Sequence, residues 1–218
     1  MSRRRVVVTG LGLLSPIGNT VAGAWENACK GVSGIGPIDT WDVSAFSTRF
    51  AGLIRDFDIG DYMERKEARK CDPFIHYGIA AAKQAITDSG LEATDANAHR
   101  IGVMMGSGIG GVYTIENNHA KWLDAGPRRI SPFFVPASII NMISGHVSIM
   151  HGFKGPNLST VTACTTSTHC IGLSARLIQA GDADVMFAGG AEYATTPLGL
   201  GGFCEERSLS TRHDEPPL

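Results

Sequence analysis

The sequence is poor in charged residues. Charged side chains make up 18% of the 218 residues and the formal net charge is -2, whereas a typical domain carries about 25% charged residues. This balance argues against a globally basic surface of the kind that nucleic-acid binders use to neutralise phosphates. We therefore expect no nucleic-acid partner.

Paired cysteine motifs are also lacking. The five cysteines are an odd number and contain no C-x-x-C pair, which argues against a disulfide framework and against a zinc site. Free thiols are typical of the reducing cytosol, so we expect a cytoplasmic protein without a bound metal. The sequence has no uninterrupted apolar run of about 18 residues and therefore predicts no membrane-spanning helix.

Glycine, by contrast, is abundant, with 27 residues that fall partly in short clusters typical of tight turns. Apolar runs alternate with segments of helical periodicity. This alternation is typical of βαβ units and predicts an α/β fold with a mainly parallel sheet. The predicted strands cover residues 5–9, 46–54, 100–106, 158–163 and 184–188, and the predicted helices cover about 20–30, 72–89, 111–125, 138–150 and 165–180.

The first glycine cluster, Gly10-Leu-Gly-Leu-Leu-Ser15, partly matches the G-x-G-x-x-G pattern of dinucleotide-binding folds. That pattern requires a helix directly after the glycines. Pro16 and Gly18 delay the predicted helix to about residue 20. A nucleotide-binding α/β module therefore stays open only as a weaker alternative. A serine hydrolase is weaker still, because no G-x-S-x-G occurs.

The stretch "VTACTTSTHC", residues 161–170, places Cys164 between a predicted strand and a predicted helix. At a helix N-terminus the macrodipole and the free backbone N–H groups favour a thiolate and can bind an oxyanion. Free cysteines are, however, often simply buried. The local sequence leaves both interpretations of Cys164 open.

A base for Cys164 is harder to find. His169 follows five residues later, which is about 140° around a helix and therefore faces away, so we interpret it as a core histidine. Among the other thiols Cys71, before a helix N-cap, is the second candidate nucleophile. The remaining three are interpreted as structural: Cys29, Cys170 and Cys204.

The segment "TACTTSTHCIGLSARLIQAGDADVMFAGGAEYATTPLGLGGF" resembles the active-site region of the β-ketoacyl-[acyl-carrier-protein] synthases, in particular the type II elongating synthases of bacterial fatty-acid synthesis. The segments "RRVVVTGLGLLSPIG", "MMGSGIGG", "RRISPFFVPASIINM" and "LSTRHDEP" agree in order, so the likeness covers residues 3–216. The resemblance implies a thiolase-like, layered αβαβα fold of two similar halves, of which residues 1–218 match the N-terminal half. It also implies a homodimer.

The activity that the resemblance implies begins with acyl transfer from acyl carrier protein to a cysteine. Malonyl-acyl carrier protein is then decarboxylated, and its enolate attacks the thioester in a Claisen condensation. Substrates ride on the phosphopantetheine arm of the carrier, so no further cofactor is implied. By position Cys164 matches the nucleophile, Ile109 and Phe203 match positions that line the acyl pocket, and Phe134 matches one that reaches the partner's pocket. Ala163 is a further substrate-binding candidate because its small side chain leaves room for a substrate. The opposing interpretation of Ile109, Phe134 and Phe203 is ordinary core packing.

Acyl carrier protein is acidic, which implies a basic docking surface. Lys66, Arg69 and Lys70 have a spacing that allows one shared helical face. Arg128, Arg129 and Arg207 also match positions that the family uses for docking. The opposing interpretation is an ordinary solvated charged face, because Glu64 and Glu67 interleave with the first group.

The sequence departs from the family in one respect. The family's H-G-T histidine, its G-H histidine and a lysine have no counterparts here, because Gly145-His146 belongs to a different predicted helix. We therefore expect this chain alone to be unable to decarboxylate malonyl groups. An alternative within the same fold is a non-catalytic chain-length-type partner subunit, against which the presence of Cys164 counts.

Overall fold

The computed structural model describes residues 4–213, which form two compact units. One unit comprises residues 4–12 and Ile59–Tyr193, and the other comprises Leu13–Asp58 and residues 194–213. The strands are β1 Ile35–Pro37, β2 Phe50–Gly52, β3 Ile101–Gly106, β4 Asn157–Leu158 and β5 Val185–Gly190. The helices are α1 Val21–Cys29, α2 Arg65–Ala68, α3 Pro73–Ser89, α4 Val112–Ala125, α5 Phe134–Ser138, α6 Met142–His151, α7 Thr166–Ala180 and α8 Pro197–Glu205.

The larger unit is built on a parallel sheet of order β4-β3-β5. All six residues of the central strand β3 are buried, as expected for a strand covered by helices on both faces. Ile101, Val103 and Met105 pack with residues of α3 and α6 in the core. The alternate residues face α7, where a side chain on Gly106 would meet Thr166. The predicted α/β class with a parallel sheet is confirmed.

Helix α3 follows its sequence signals closely. Asp72 is the N-cap and accepts a hydrogen bond from the Phe74 N–H (3.2 Å), and Pro73 occupies the first helical position. Gly90 ends the helix in the left-handed conformation, with φ of 62°. The predicted helix over 72–89 is thus confirmed within one residue.

The predicted strand over residues 5–9 is wrong for this structure, since none of these residues is in a strand. Arg4 forms an ion pair with Asp184 (2.7 Å) and the Leu11 N–H donates to Asp88, so both ends of the segment are tied down. Between these ties a cavity of about 530 Å³ separates the segment from β5. Without a neighbouring backbone the segment cannot form ladder hydrogen bonds, and Val7 and Val8 are 71% and 76% exposed.

Other elements are shorter than predicted. The predicted strand over 158–163 is reduced to β4, because serine hydroxyls replace the ladder: Ser144 donates to the Leu158 carbonyl and Ser159 donates to the Met105 carbonyl, both at 2.8 Å. The predicted helix over 138–150 forms as α6 and begins only at Met142, because Ile139, the C-cap of the preceding helix α5, has extended backbone angles. The predicted strand over 46–54 forms only as β2.

The smaller unit contains α1, the antiparallel pair β1 and β2, and α8. Trp41 donates from Nε1 to the Thr195 carbonyl (3.2 Å), and Thr48 donates to the Ser210 carbonyl (2.8 Å). These two bonds join the two sequence segments of this unit. In the part of the chain that the structure describes, we find no helix with the length and apolar character needed to cross a membrane.

Candidate active site

Cys164 lies in a single 3-10 turn, Ala163–Thr165, that leads directly into α7. Its side chain is exposed. The preceding residue, Ala163, has φ of 52°, which an L-residue with a Cβ adopts only at a cost in backbone energy. Such strain is often found where a fold holds a functional residue in a fixed direction. The strained turn therefore fits the nucleophile interpretation of Cys164 better than the buried-thiol interpretation.

Threonine hydroxyls hold this turn in place. Thr166 is buried, donates to the Ala163 carbonyl (2.7 Å) and accepts from the Thr162 N–H (2.9 Å). Thr165 donates to the Thr162 carbonyl (2.7 Å). We name residues 162–166 the cysteine turn. The hydroxyl groups of Thr165 and Thr166 therefore fix the backbone of the cysteine turn.

His169 is not a core residue, contrary to the expectation from sequence. It is exposed, and its Nδ1 lies 2.7 Å from Oγ1 of Thr162. The buried face of α7 carries Cys170 and Ser174, whereas His169 lies on the exposed face of the helix. Among residues 4–213 no histidine forms a hydrogen bond with the Cys164 thiol. The described chain thus presents the thiol without a base.

A second loop packs behind the cysteine turn. We name residues 106–111 the glycine loop. Gly108 lies so close to Ala163 that an added Cβ would be 3.3 Å from its Cα and carbonyl carbon. Ile109, predicted to line a substrate pocket, is carried on this loop with its side chain 44% exposed. The structure therefore brings together Cys164, Ala163 and the loop of Ile109.

Glu192 holds the glycine loop, and sequence reasoning did not identify it. Its Oε2 accepts from the N–H groups of Gly108 (2.8 Å) and Ile109 (3.0 Å), and its Oε1 accepts from the Ser107 hydroxyl (2.8 Å). The sequence signal for it was a carboxylate two residues after β5, since the carboxyl ends of neighbouring parallel strands share one edge of the sheet. These bonds also occupy N–H groups that a phosphate would need.

The other predicted substrate positions are distributed over both units. Phe134 is the first residue of α5 and is half-buried. Helix α5 adjoins the glycine loop, because the Gly111 N–H donates to the Ser138 carbonyl (3.1 Å). Phe203 lies in α8 of the smaller unit and is partly exposed.

The second candidate nucleophile, Cys71, is poorly suited to that role. Its Sγ lies 3.4 Å from Nε2 of His146, but burial raises the pKa of the thiol to about 11, and the nearby Glu67 carboxylate adds to the shift. Cys170 is fully buried against Thr160, as its structural interpretation requires. Cys204 differs from expectation, because hydrogen bonds from Ser47 and Thr48 lower its pKa.

The predicted docking cations are exposed, apart from the half-buried Lys70, and they are not equivalent. Helix α2 spans only Arg65–Ala68, so it contains Lys66, while Arg69 is its C-cap and Lys70 follows it. Lys70 donates to both oxygens of Glu67 (2.6 and 2.7 Å) and lies 5.4 Å from the centroid of the Phe133 ring. Arg128 and Arg129 lie in the 3-10 turn Pro127–Arg129, and Arg207 follows α8 in the smaller unit.

Among residues 4–213 no cluster of three or more potential ligands could hold a metal.

Comparison with known proteins bears directly on this site. Residues 3–216 match the family model described as "Beta-ketoacyl synthase, N-terminal domain". The 3-oxoacyl-[acyl-carrier-protein] synthase 2 of Vibrio harveyi is 58% identical over 216 residues, which are 99% of this chain and 52% of that protein. The chain therefore spans about half the length of the curated relatives it matches.

Solved structures agree with the assignment of fold. The ishigamide ketosynthase/chain length factor is similar with a TM-score of 0.86 and 26% identity, over 96% of this chain and 52% of that one. A type II polyketide synthase acyl-carrier protein in complex with its ketosynthase is similar with a TM-score of 0.79 and 27% identity, over 93% of this chain and 55% of that one. The predicted thiolase-like fold is thus confirmed at the level of architecture.

Proposed function

The chain belongs to the β-ketoacyl synthase family, and from this we propose that it supplies the acyl-accepting nucleophile of a 3-oxoacyl-[acyl-carrier-protein] synthase of fatty-acid elongation. The observation that carries the proposal is the exposed Cys164 thiol in a strained turn at the start of α7. The Cys164 thiolate attacks the acyl thioester carbonyl, the new C–S bond forms, and the phosphopantetheine thiolate leaves. The acyl chain is then held on Cys164.

The cysteine turn also supplies a backbone hydrogen-bond donor for this step. The backbone N–H of Cys164 donates no hydrogen bond to any residue of the described chain. It therefore remains available to the oxyanion that forms when a thioester carbonyl is attacked. The neighbouring N–H groups of Thr165 and Thr166 are less available, because each donates within the cysteine turn.

The second half-reaction completes the proposed function. Malonyl-acyl carrier protein loses carbon dioxide, the resulting enolate carbon attacks the acyl-cysteine carbonyl, a C–C bond forms, and the Cys164 thiolate leaves. Residues 4–213 place no histidine in hydrogen-bonding contact with Cys164. We propose that these residues perform the acyl transfer and that decarboxylation needs groups that they do not provide.

We propose acyl carrier protein as the partner, with the substrate on its phosphopantetheine arm and no further cofactor. The related ketosynthase with a TM-score of 0.79 was solved in complex with its acyl-carrier protein, which supports this partner. Lys66, Arg69, Arg128 and Arg129 are exposed and available to an acidic surface, whereas Lys70 is already paired with Glu67. Arg207 in the smaller unit is likewise exposed.

A homodimer is proposed from the open side of the larger sheet. Strand β4 pairs only with β3 among the described strands, so its outer edge is free. Val161 and Ile149 next to that edge are 53% and 78% exposed. A free strand edge flanked by large apolar side chains requires a partner to avoid aggregation. A second copy of the chain satisfies that requirement.

The five free thiols fit the reducing cytoplasm, which we propose as the location.

The alternatives fare less well. A chain-length-type partner subunit shares the fold, as the similarity to the ishigamide ketosynthase/chain length factor illustrates, but it does not need the exposed cysteine in its strained turn. A nucleotide-binding module requires a helix directly after Gly12, and α1 begins only at Val21. In the glycine loop, the N–H groups of Gly108 and Ile109 already donate to Glu192 and are not available to a phosphate.

The proposal is tested by incubating the chain with acyl-[acyl carrier protein] and measuring intact mass followed by peptide mapping. We expect a single acyl adduct on Cys164 that is lost in Cys164→Ala and kept in the exposed-cysteine control Cys29→Ala. Arg128→Glu with Arg129→Glu should slow acylation by the carrier-bound acyl group but not by acyl-pantetheine. The matched control is Arg176→Glu, an exposed cation on α7. An adduct that survives Cys164→Ala would overturn the proposal.

The homodimer is tested separately by sedimentation velocity. Val161→Lys should shift the chain from dimer to monomer, because a lysine at the free edge opposes its own copy across a two-fold axis. Trp25→Lys, which changes an even more exposed apolar residue in the smaller unit, should leave the dimer intact. A chain that is monomeric before any substitution would overturn this part of the proposal.

A further inference from the structure

The Glu192 carboxylate organises a complete hydrogen-bond network in the glycine loop. Besides the bonds to Gly108, Ile109 and Ser107, the Ser107 hydroxyl accepts from the Gly110 N–H at 3.0 Å. Ser107 is buried, with 2% of its surface exposed. One carboxylate therefore determines, directly or through one serine, the direction of three consecutive peptide groups.

The chemistry of this network requires an acceptor at position 192. Three donors converge on the side chain, two backbone N–H groups and one hydroxyl, and an ionised carboxylate is a side chain that accepts only. An amide can keep most of the pattern if its oxygen faces the two N–H groups and its NH2 faces the Ser107 hydroxyl, which then accepts. An aliphatic side chain keeps none of it.

The loop so held is in contact with the backbone of the nucleophile's neighbour. Gly108 faces Ala163, and an added Cβ would also lie 2.8 Å from Oε2 of Glu192, so the loop fits between the carboxylate and the cysteine turn. Gly110 has φ of 79° and packs on Ser138 of α5. The loop is therefore closely packed against both the segment at the end of α5 and Ala163.

We propose that Glu192 is a positioning residue that fixes Ile109 on the loop packed against the cysteine turn and thereby sets which acyl chains reach the Cys164 thiol. This inference rests on the proposed acyl transfer to Cys164. The Ile109 N–H is bonded to the carboxylate while its side chain is free of the core. Removal of the carboxylate releases the Ile109 N–H, and the glycine loop beside the cysteine turn is then no longer held in one position.

The test compares Glu192→Ala, Glu192→Leu and the conservative Glu192→Gln with Glu64→Ala, an exposed acid whose side chain makes no cap hydrogen bond. Second-order rates of Cys164 acylation are measured with short, medium and long saturated acyl-[acyl carrier protein]. We expect Ala and Leu to change the long-to-short rate ratio by roughly tenfold, because ångström-scale misplacement has effects of that size or larger. Gln should stay closer to the unsubstituted chain, and Glu64→Ala should not differ from it.

Two readouts separate failure of this inference from failure of the proposed function. If the unsubstituted chain acylates Cys164 and Glu192→Ala leaves the rate ratio unchanged, the inference is overturned while the function stands. Hydrogen exchange at residues 107–111 needs no acylation. Glu192→Ala should speed exchange of the Gly108 and Ile109 amides while exchange in α3 stays the same. Unchanged exchange at those two amides would overturn the inference whether or not the chain acylates.

Discussion

The thiol of Cys71 lies 3.4 Å from Nε2 of His146. A cysteine and a histidine in contact can form a catalytic pair, but such a pair requires a thiol that ionises readily. Burial raises the pKa of Cys71 to about 11 and lowers the pKa of His146, so both groups are held neutral. Cys71, which precedes the N-cap of α3, and His146 of α6 therefore form a partly buried contact between two neutral groups, and not a reactive thiolate–imidazolium ion pair.

Thiol alkylation should reflect this difference. At pH 8 a thiol with a pKa of about 11 is ionised in only about one molecule in a thousand. We expect iodoacetamide to label the exposed Cys164 well before Cys71 and the buried Cys170 in the folded chain, as measured by peptide mapping over time. Equal rates for all three in the folded chain, with equal rates also in urea, would contradict the structure.

Gly106 should not tolerate a side chain. A Cβ there would lie 2.3 Å from the Thr160 carbonyl oxygen and 2.7 Å from Cγ2 of Thr166. We expect Gly106→Ala to lower the free energy of unfolding by about 2–3 kcal/mol, because the backbone next to the cysteine turn must shift. The matched change Gly172→Ala, on the exposed side of α7 with open space around it, should raise stability by up to about 1 kcal/mol. Urea unfolding measures both.

The cysteine turn should depend on the Thr166 hydroxyl. Thr166→Val keeps the shape of the side chain but removes the acceptor of the Thr162 N–H and the donor to the Ala163 carbonyl. We expect a loss of about 1–3 kcal/mol in unfolding free energy and a changed alkylation rate of Cys164. Thr168→Val, at an exposed position of the same helix, is the control. Similar effects of both substitutions would refute a specific role of Thr166.

Asp72 should make stability depend on pH. It is buried, caps α3 and also accepts from the Thr114 N–H of α4 (2.8 Å). Its pKa is raised, chiefly by burial, while the hydrogen bonds from Thr114 and Phe74 and the nearby His76 imidazole act to lower it. A carboxyl with a raised folded-state pKa binds its proton more tightly in the folded chain, so its contribution to stability falls as pH rises above about 3.8.

The measurement is the pH profile of unfolding free energy for the unsubstituted chain and Asp72→Asn. Asparagine keeps an acceptor but does not titrate, so the stability of the original chain relative to Asp72→Asn should decrease from pH 4 upward. Asp72→Ala should cost about 2–3 kcal/mol at neutral pH, because two helix N-termini lose a cap partner. A difference between the chain and Asp72→Asn that rises with pH would show that the hydrogen bonds outweigh burial.

Several features were determined by the sequence itself. Helix α3 has its N-cap, proline and terminal glycine within local reach, and β3 is a continuous apolar run, so both are predicted within about one residue. The start of a helix two residues after Cys164 is a local pattern of the same kind. Such signals suffice because the groups that form these hydrogen bonds are neighbours in the chain.

Only the tertiary structure decided the rest. The bond from Gly108 to Glu192 joins residues 84 positions apart, and no local pattern announces it. The same holds for the contact of Cys71 with His146, 75 positions apart. The apolar residues 5–9 show the converse, because a strand propensity without an adjacent backbone does not make a strand. Local sequence determines which backbone conformations are low in energy, and long-range contacts select among them and assemble the site.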